Sequence, residues 1–255
     1  MNSKEMNTQI SQRFDFIVNA YLHLSIANHD VRCPYFMNHD DLYIGTPYYM
    51  AVQKGGKRMP WEIVDFVYQK ASEVGLDLSC STQQRIRDFI FEIGGGIDCS
   101  GFVYNITQYA IETITALNFE TSLPKPSNKE LTGVTKLNGR DIINQSNARS
   151  IDKINDSRPG DIISIAGGHH LISILDIDTH RNIITCAHST NVIKAWGPNK
   201  FKIEVTNFDQ NIFEQKWHEV DWVGENYLRS IAPRLTAVDG IKRLNIFSQI
   251  YGINY

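Results

Sequence analysis

The sequence predicts an α+β fold, with helices first and an antiparallel sheet after them. Three observations carry this. Up to Leu117, apolar residues recur at three- and four-residue steps, the spacing of helices with one buried stripe. From Arg158 onward, short runs rich in β-branched residues alternate with Gly, Asp and Asn turns, the pattern of strands. Between the two, Gly94-Gly95-Gly96-Ile97-Asp98-Cys99-Ser100-Gly101-Phe102-Val103 leads a glycine-rich turn into the start of a helix that begins at a cysteine.

The helices come in order. Ile10, Phe14, Ile17, Tyr21 and Leu24 mark one amphipathic helix that ends before Asn28. Cys33-Pro34-Tyr35-Phe36 follows, and then Tyr43, Tyr48 and Tyr49 around Gly45-Thr46-Pro47. These aromatics, Tyr35 among them, either cover the flank of the core or line a substrate groove. Pro60-Trp61-Glu62 starts a second helix, whose Ile63, Val67, Ala71 and Val74 run to Gly75. Ser81-Thr82-Gln83-Gln84 has the form of a capping box, opening a helix through Ile86, Phe89, Ile90 and Ile93. Val103, Ile106, Ala110, Ile114 and Leu117 continue the helix that Cys99 opens.

Residues 119–156 read as a polar excursion with little core of its own. A strand then follows Arg158-Pro159-Gly160-Asp161. Gly167-Gly168-His169-His170 turns into the strand Leu171 to Leu175, and Ile183 to His188 runs back, which makes a hairpin. A turn centred near Thr179 or His180 brings His169 or His170 beside His188. Phe201 to Val205 alternates as a further strand. The tail, with Trp217, Trp222, Tyr227, Leu228, Leu235, Ile241, Leu244 and Ile246, has enough apolar surface to dock.

Composition narrows the function classes. Apolar residues make up 42% and charged residues 21%, as in an ordinary globular protein with a sizeable core. A net charge of −3 without a Lys/Arg block gives no footprint for nucleic acid or an anionic membrane, and no apolar run is long enough to span one. The polar stretch Met1 to Gln12 lacks the apolar segment of a secretory signal, so a cytoplasmic protein or non-Sec export is expected. Four cysteines, Cys33, Cys80, Cys99 and Cys186, with no CxxC pair, are expected to be reduced thiols. The oligomeric state is open.

A cysteine at a helix start meets unpaired N–H groups and the positive end of the helix dipole, which favour a thiolate. A histidine heading a strand and a polar residue on the next strand complete a nucleophile, base and orienter. Flanking glycines leave room for a peptide backbone beside the sulfur. In the rival readings, Cys99 is a buried structural thiol, or Cys99, Cys186, His170 and His188 ligate zinc. A non-catalytic binding protein on the same fold is a further alternative. His23, His29, His39, His180 and His218 read as surface or capping residues.

Four ordered blocks resemble those of NlpC/P60 cysteine peptidases: Asp98-Cys99-Ser100-Gly101-Phe102-Val103, Arg158-Pro159-Gly160-Asp161-Ile162, His170 heading a strand, and Ala187-His188-Ser189-Thr190. The resemblance covers residues 93–205. It implies a papain-like core, a helix bearing the cysteine packed on an antiparallel sheet. It also implies hydrolysis of amide bonds in peptidoglycan stem peptides, commonly of D-γ-glutamyl type, without a cofactor or metal. By this resemblance Cys99 is the nucleophile, His170 the base and His188 the orienting residue, with Asp98 and Ser100 binding substrate and Tyr35 a further candidate.

Two departures stand out. Two adjacent histidines precede the strand where the family has one, so His169 is the alternative base. Ile172 also stands where the family has a small glycine. Thiol acyl transfer or lipid acyl hydrolysis on the same core is the related alternative activity. The chain thus divides into a helical, Tyr-rich region 1–92, a catalytic core 93–205 and a docked C-terminal segment 206–255.

Overall fold

A computed structural model describes residues 3–37, 55–123 and 137–253. Tyr43, Tyr48, Tyr49, His39 and the 124–136 part of the excursion lie outside the described residues. Helix α1 (Ser3–Leu22) buries Ile10, Phe14, Ile17 and Tyr21, the stripe its spacing predicts. Leu24 belongs not to this helix but to a small hairpin, β1 (Leu24–Ile26) with β2 (His29–Val31). Ala27 and Asn28 both hold positive φ there (48° and 67°), the two-residue turn whose twist suits a tight hairpin.

Helix α2 (Pro60–Val74) has proline in its first turn, and Glu62 accepts a hydrogen bond from the Met59 N–H at 2.8 Å. It ends where Gly75 turns left-handed at φ 68°. Helix α3 (Gln83–Glu92) is capped by Thr82, whose hydroxyl accepts from the Arg85 N–H at 3.1 Å. The cap is therefore Thr82 and not the expected Ser81, and with Arg85 at the third helical position the expected Ser81–Gln84 capping box does not form. Helix α4 (Cys99–Ile114) is the central one, and its side chains from Cys99 to Thr107 are all buried.

The 119–156 stretch is less peripheral than its polarity suggests. It contains α5 (Phe119–Ser122), α6 (Gly139–Ile142) and β3 (Ala148–Ile151), and Phe119, Leu123, Leu137, Ile142 and Ala148 enter the helical core. Apart from the Ile142–Ile143 pair, these apolar residues stand singly in a polar stretch, so no periodicity announces them.

Among the described residues, the main sheet has seven antiparallel strands. Besides β3 they are β4 (Ile162–Ile165), β5 (His170–Asp178), β6 (Ile183–Thr190), β7 (Gly197–Glu204), β8 (Lys216–Trp217) and β9 (Gly240–Leu244). Their order is β3-β9-β4-β5-β6-β7-β8. The C-terminal strand thus lies inside the sheet, followed by α8 (Asn245–Ile250), while α7 (Tyr227–Ile231) lies between β8 and β9 in the chain. The molecule is a mixed α+β protein with helices against an antiparallel sheet.

Both faces of the sheet are buried. On one, Leu171, Leu175, Ala187 and Leu244 pack with α1 and α4 through Phe14, Phe102, Val103 and Ile106. On the other, Ile163, Ile172, Ile174, Cys186, Phe201 and Ile241 join Trp217, Tyr227 and Ile231 from the C-terminal segment. Burial on both sides explains why β5 reads as an almost continuous apolar run. Among the described residues, no helix is long and apolar enough to cross a membrane.

Candidate active site

The turn before Cys99 is built by backbone geometry. Helix α3 ends with the Gly94 N–H bonded to the Phe91 carbonyl at 3.0 Å and the Gly95 N–H to that of Ile90 at 2.7 Å. Gly94 takes φ 69°, as this helix end requires. Ile97 then runs between two upstream segments, bridging to Tyr35 on one side and to Gly56 and Lys57 on the other. The glycines serve this packing. A Cβ at Gly96 would lie 2.5 Å from the Pro34 carbonyl, and one at Gly101 would lie 2.1 Å from that of Gly56. The chain's own N-terminal segments, not a substrate backbone, fill the space at these two glycines.

Asp98 caps α4, accepting from the Gly101 N–H at 2.6 Å, so Cys99 is the first helical residue, as its sequence context predicts. The thiol is buried, with 9% of the residue exposed, and it donates to the His169 carbonyl at 3.6 Å. Burial, and after it the charge of Asp98, push the thiol up to about 12, while Lys57 and the Leu171 and Ser100 N–H groups act in the other direction. Burial and the carboxylate thus work against the thiolate that the helix start favours. The helix start supplies favourable dipoles, but desolvation and a neighbouring carboxylate outweigh them.

Parity on the β5–β6 ladder separates the two histidines. Ser173 faces Ala187 and Ile174 faces Cys186. Continued one step, this register sets His188 level with Ile172 and makes His170, two residues on and on the same face, its diagonal neighbour. His170 Nε2 and His188 Nδ1 lie 3.0 Å apart, their rings nearly edge to face at 67°. His169 falls on the opposite parity, is exposed and bonds to Arg140.

His170 is half-buried, and its pKa is well below the usual histidine value because burial and the adjacent His188 both disfavour its charge. It is a neutral imidazole at pH 7, and its Nδ1 is the nitrogen not engaged with His188. Among the described residues, the sulfur's side-chain hydrogen bond goes to the carbonyl next to His170 and not to its ring.

Other groups that the sequence did not single out complete the surroundings. Tyr227 from α7 sets its ring against both imidazoles, 6.4 Å from His170 and 5.3 Å from His188 between centroids. Burial raises its hydroxyl, a hydrogen bond with Thr190 acts the other way, and the Cys99 sulfur adds to the rise; burial and then Cys99 raise that of Tyr35 as well. Tyr227 and the His170–His188 pair thus gather at the head of β5, where Cys99 meets the His169 carbonyl. Beyond His188, Glu219 brings Oε2 within 3.4 Å of Nε2 while accepting from Asn199 Nδ2 at 2.8 Å. Asn199 is the β7 partner of His188. Glu219 stands in irregular chain between β8 and α7, where no spacing rule connects it to β6.

Asp98 and Ser100 turn to a residue of this same chain. Lys57 Nζ lies 2.9 and 2.8 Å from the two Asp98 oxygens, donates to Ser100 Oγ, and reaches the Leu137 carbonyl at 3.3 Å. Asp161, from the Pro-Gly-Asp block, has a structural role. Arg243 on β9 grips it bidentately, both contacts at 2.7 Å and both side chains buried.

All four cysteines are free thiols, with Cys186 deep among the apolar residues of the second face. Among the described residues, no three His, Cys, Asp or Glu side chains are arranged to hold a metal ion, so the Cys99, Cys186, His170 and His188 zinc set does not assemble. A scan against protein-family models, a search of curated proteins and a search of solved structures each return no match.

Proposed function

We propose that this chain is a thiol hydrolase that cleaves amide bonds in peptidoglycan stem peptides, with Cys99 as nucleophile, His170 as general base and His188 as orienting residue. The observation that carries this reading is the 3.0 Å contact between the His170 and His188 rings at the head of β5, beside the helix start that bears Cys99. The resemblance of the four sequence blocks to NlpC/P60 peptidases, with their papain-like core, supports the choice of substrate.

In the proposed reaction the thiol swings from the His169 carbonyl to His170 Nδ1. His170 takes the proton as the sulfur attacks the substrate carbonyl, so no resting thiolate is needed. The oxyanion is held by backbone N–H at the start of α4. The imidazolium, steadied through His188, then protonates the leaving amine as the C–N bond breaks and a thioester remains. Water, deprotonated by His170, hydrolyses the thioester and returns the free thiol.

The test is Cys99→Ala on defined stem peptides, with products read by mass. Turnover should drop to background, and a variant that still cleaves overturns the assignment. A second reading, acyl transfer or hydrolysis on an apolar acyl chain, draws on the exposed Val220, Trp222 and Val223, which directly follow Glu219. Cys99-dependent turnover of an apolar acyl ester, with stem peptides left intact, would favour it.

A further inference from the structure

Resting on the reading of Cys99 as the nucleophile, we propose that Lys57 supplies from within the chain the cation that the Asp98 carboxylate, next to that residue, would otherwise take from a substrate. The site then takes acyl groups that carry no free amine there, such as internal or N-blocked peptide segments. The argument begins with hydrogen-bond capacity. Asp98 Oδ1 accepts from the Gly101 N–H at 2.6 Å, from Ser100 Oγ at 2.9 Å and from Lys57 Nζ at 2.9 Å, and Oδ2 takes the same ammonium at 2.8 Å. Lys57 has three N–H donors, and Asp98, Ser100 Oγ and the Leu137 carbonyl receive them. The set is closed.

Lys57 is also held in place. Its backbone bridges to Ile97, the Asp98 N–H donates to the Gly56 carbonyl at 3.1 Å, and Gly101 has no side chain where that carbonyl passes. Lys57, Asp98 and Ser100 are 9%, 7% and 6% exposed, so the pair is shielded from salt and water. Both charges act on the Cys99 thiol, which puts the network within electrostatic reach of the reacting atom. A lone carboxylate there would attract a substrate ammonium. With its counter-ion built in, a second cation meets the repulsion of Lys57.

The experiment uses the full chain and two probes, a dipeptidyl chloromethyl ketone with a free N-terminal amine and its N-acetyl twin. Labelling of Cys99 is followed by peptide mass, with Cys99→Ala as the blank. In the wild type the acetylated probe should react at least as fast as the amine probe. Lys57→Met should raise the amine-to-acetyl ratio tenfold or more. Lys57→Met with Asp98→Asn, which removes both charges, should return it to the wild-type value.

A wild type that prefers the amine probe tenfold, that is labelled by neither probe, or whose ratio is unchanged in a folded Lys57→Met variant, overturns the proposal. The wild-type ratio decides even if Lys57→Met does not fold. Expected labelling ratios with no cleavage of stem peptides would reject the peptidase reading and leave this one standing.

Discussion

The state of the Cys99 thiol before substrate arrives is open to direct measurement. With its pKa pushed up to about 12, roughly one molecule in 10⁴ is a thiolate at pH 8. An ordinary free cysteine at about 8.5 is ionised to roughly one quarter at that pH, a population difference of roughly 2,000-fold. The more basic sulfur is intrinsically the better nucleophile, which recovers a factor of roughly 40. Cys99 should therefore alkylate about 50-fold more slowly than an unperturbed thiol, before any further slowing from burial. Cys80, which is exposed, is the internal reference in the same chain.

The assay is brief exposure to iodoacetamide between pH 6 and 10, with each cysteine quantified by peptide mass. The Cys99 rate should climb through the whole range without a plateau. Asp98→Asn should accelerate it about tenfold or more, because the carboxylate that raises the thiol is gone while Lys57 remains. A plateau below pH 8, or Cys99 reacting faster than Cys80 at pH 7, would refute the neutral-thiol account and restore a resting ion pair.

Three further outcomes follow from the same geometry. Arg243→Met strands the buried Asp161 carboxylate, which should cost about 3–5 kcal/mol and lower Tm by roughly 6–20 °C; a scanning-fluorimetry shift under 2 °C would contradict the pairing. Glu219→Gln should lower kcat about tenfold with KM unchanged. It should also move the acid limb of the rate profile to lower pH, since less negative charge then supports the imidazolium; a lower kcat with an unmoved limb would reduce Glu219 to a packing role. His170, depressed below about 6.5 in the fold, resists the proton that the unfolded chain accepts, so stability is full above about pH 6.5 and falls as pH drops below it. This group contributes at most about 1.4 kcal/mol per pH unit, and His170→Phe should flatten the acid side of a Tm-against-pH curve by that slope.

Much of this arrangement was legible in the chain. The step of apolar residues in α1, α2 and α4 is a local property of a helix with one buried face. Pro60 and Gly75 mark their ends for equally local reasons, and so does Asp98 ahead of Cys99. The hairpin turn between β5 and β6 carried enough information to bring His188 to the neighbourhood of His169 and His170. It could not choose between them. One position of register exchanges the two faces of a strand, and only the pairing of Ser173 with Ala187 sets the parity.

Local pattern failed where the contact partner is distant in the chain. Lys57 and Asp98 are separated by 41 residues, and Asp161 and Arg243 by 82. Neither member of a pair advertises the other, because a buried charge is tolerated through its partner and not through its neighbours in sequence. By sequence the glycines around Cys99 suggest space for a substrate, yet Gly96 and Gly101 accommodate Pro34 and Gly56.

The sequence by itself determined that Cys99 stands at a helix start and that a hairpin carries two histidines towards one another. Both follow from short-range backbone preference and side-chain period. The tertiary structure alone decided which histidine faces its partner, and it buried the thiol beside a carboxylate, both of which raise its pKa. It also supplied Asp98's counter-ion. Register, desolvation and charge pairing each depend on atoms that the fold, not the chain order, brings together.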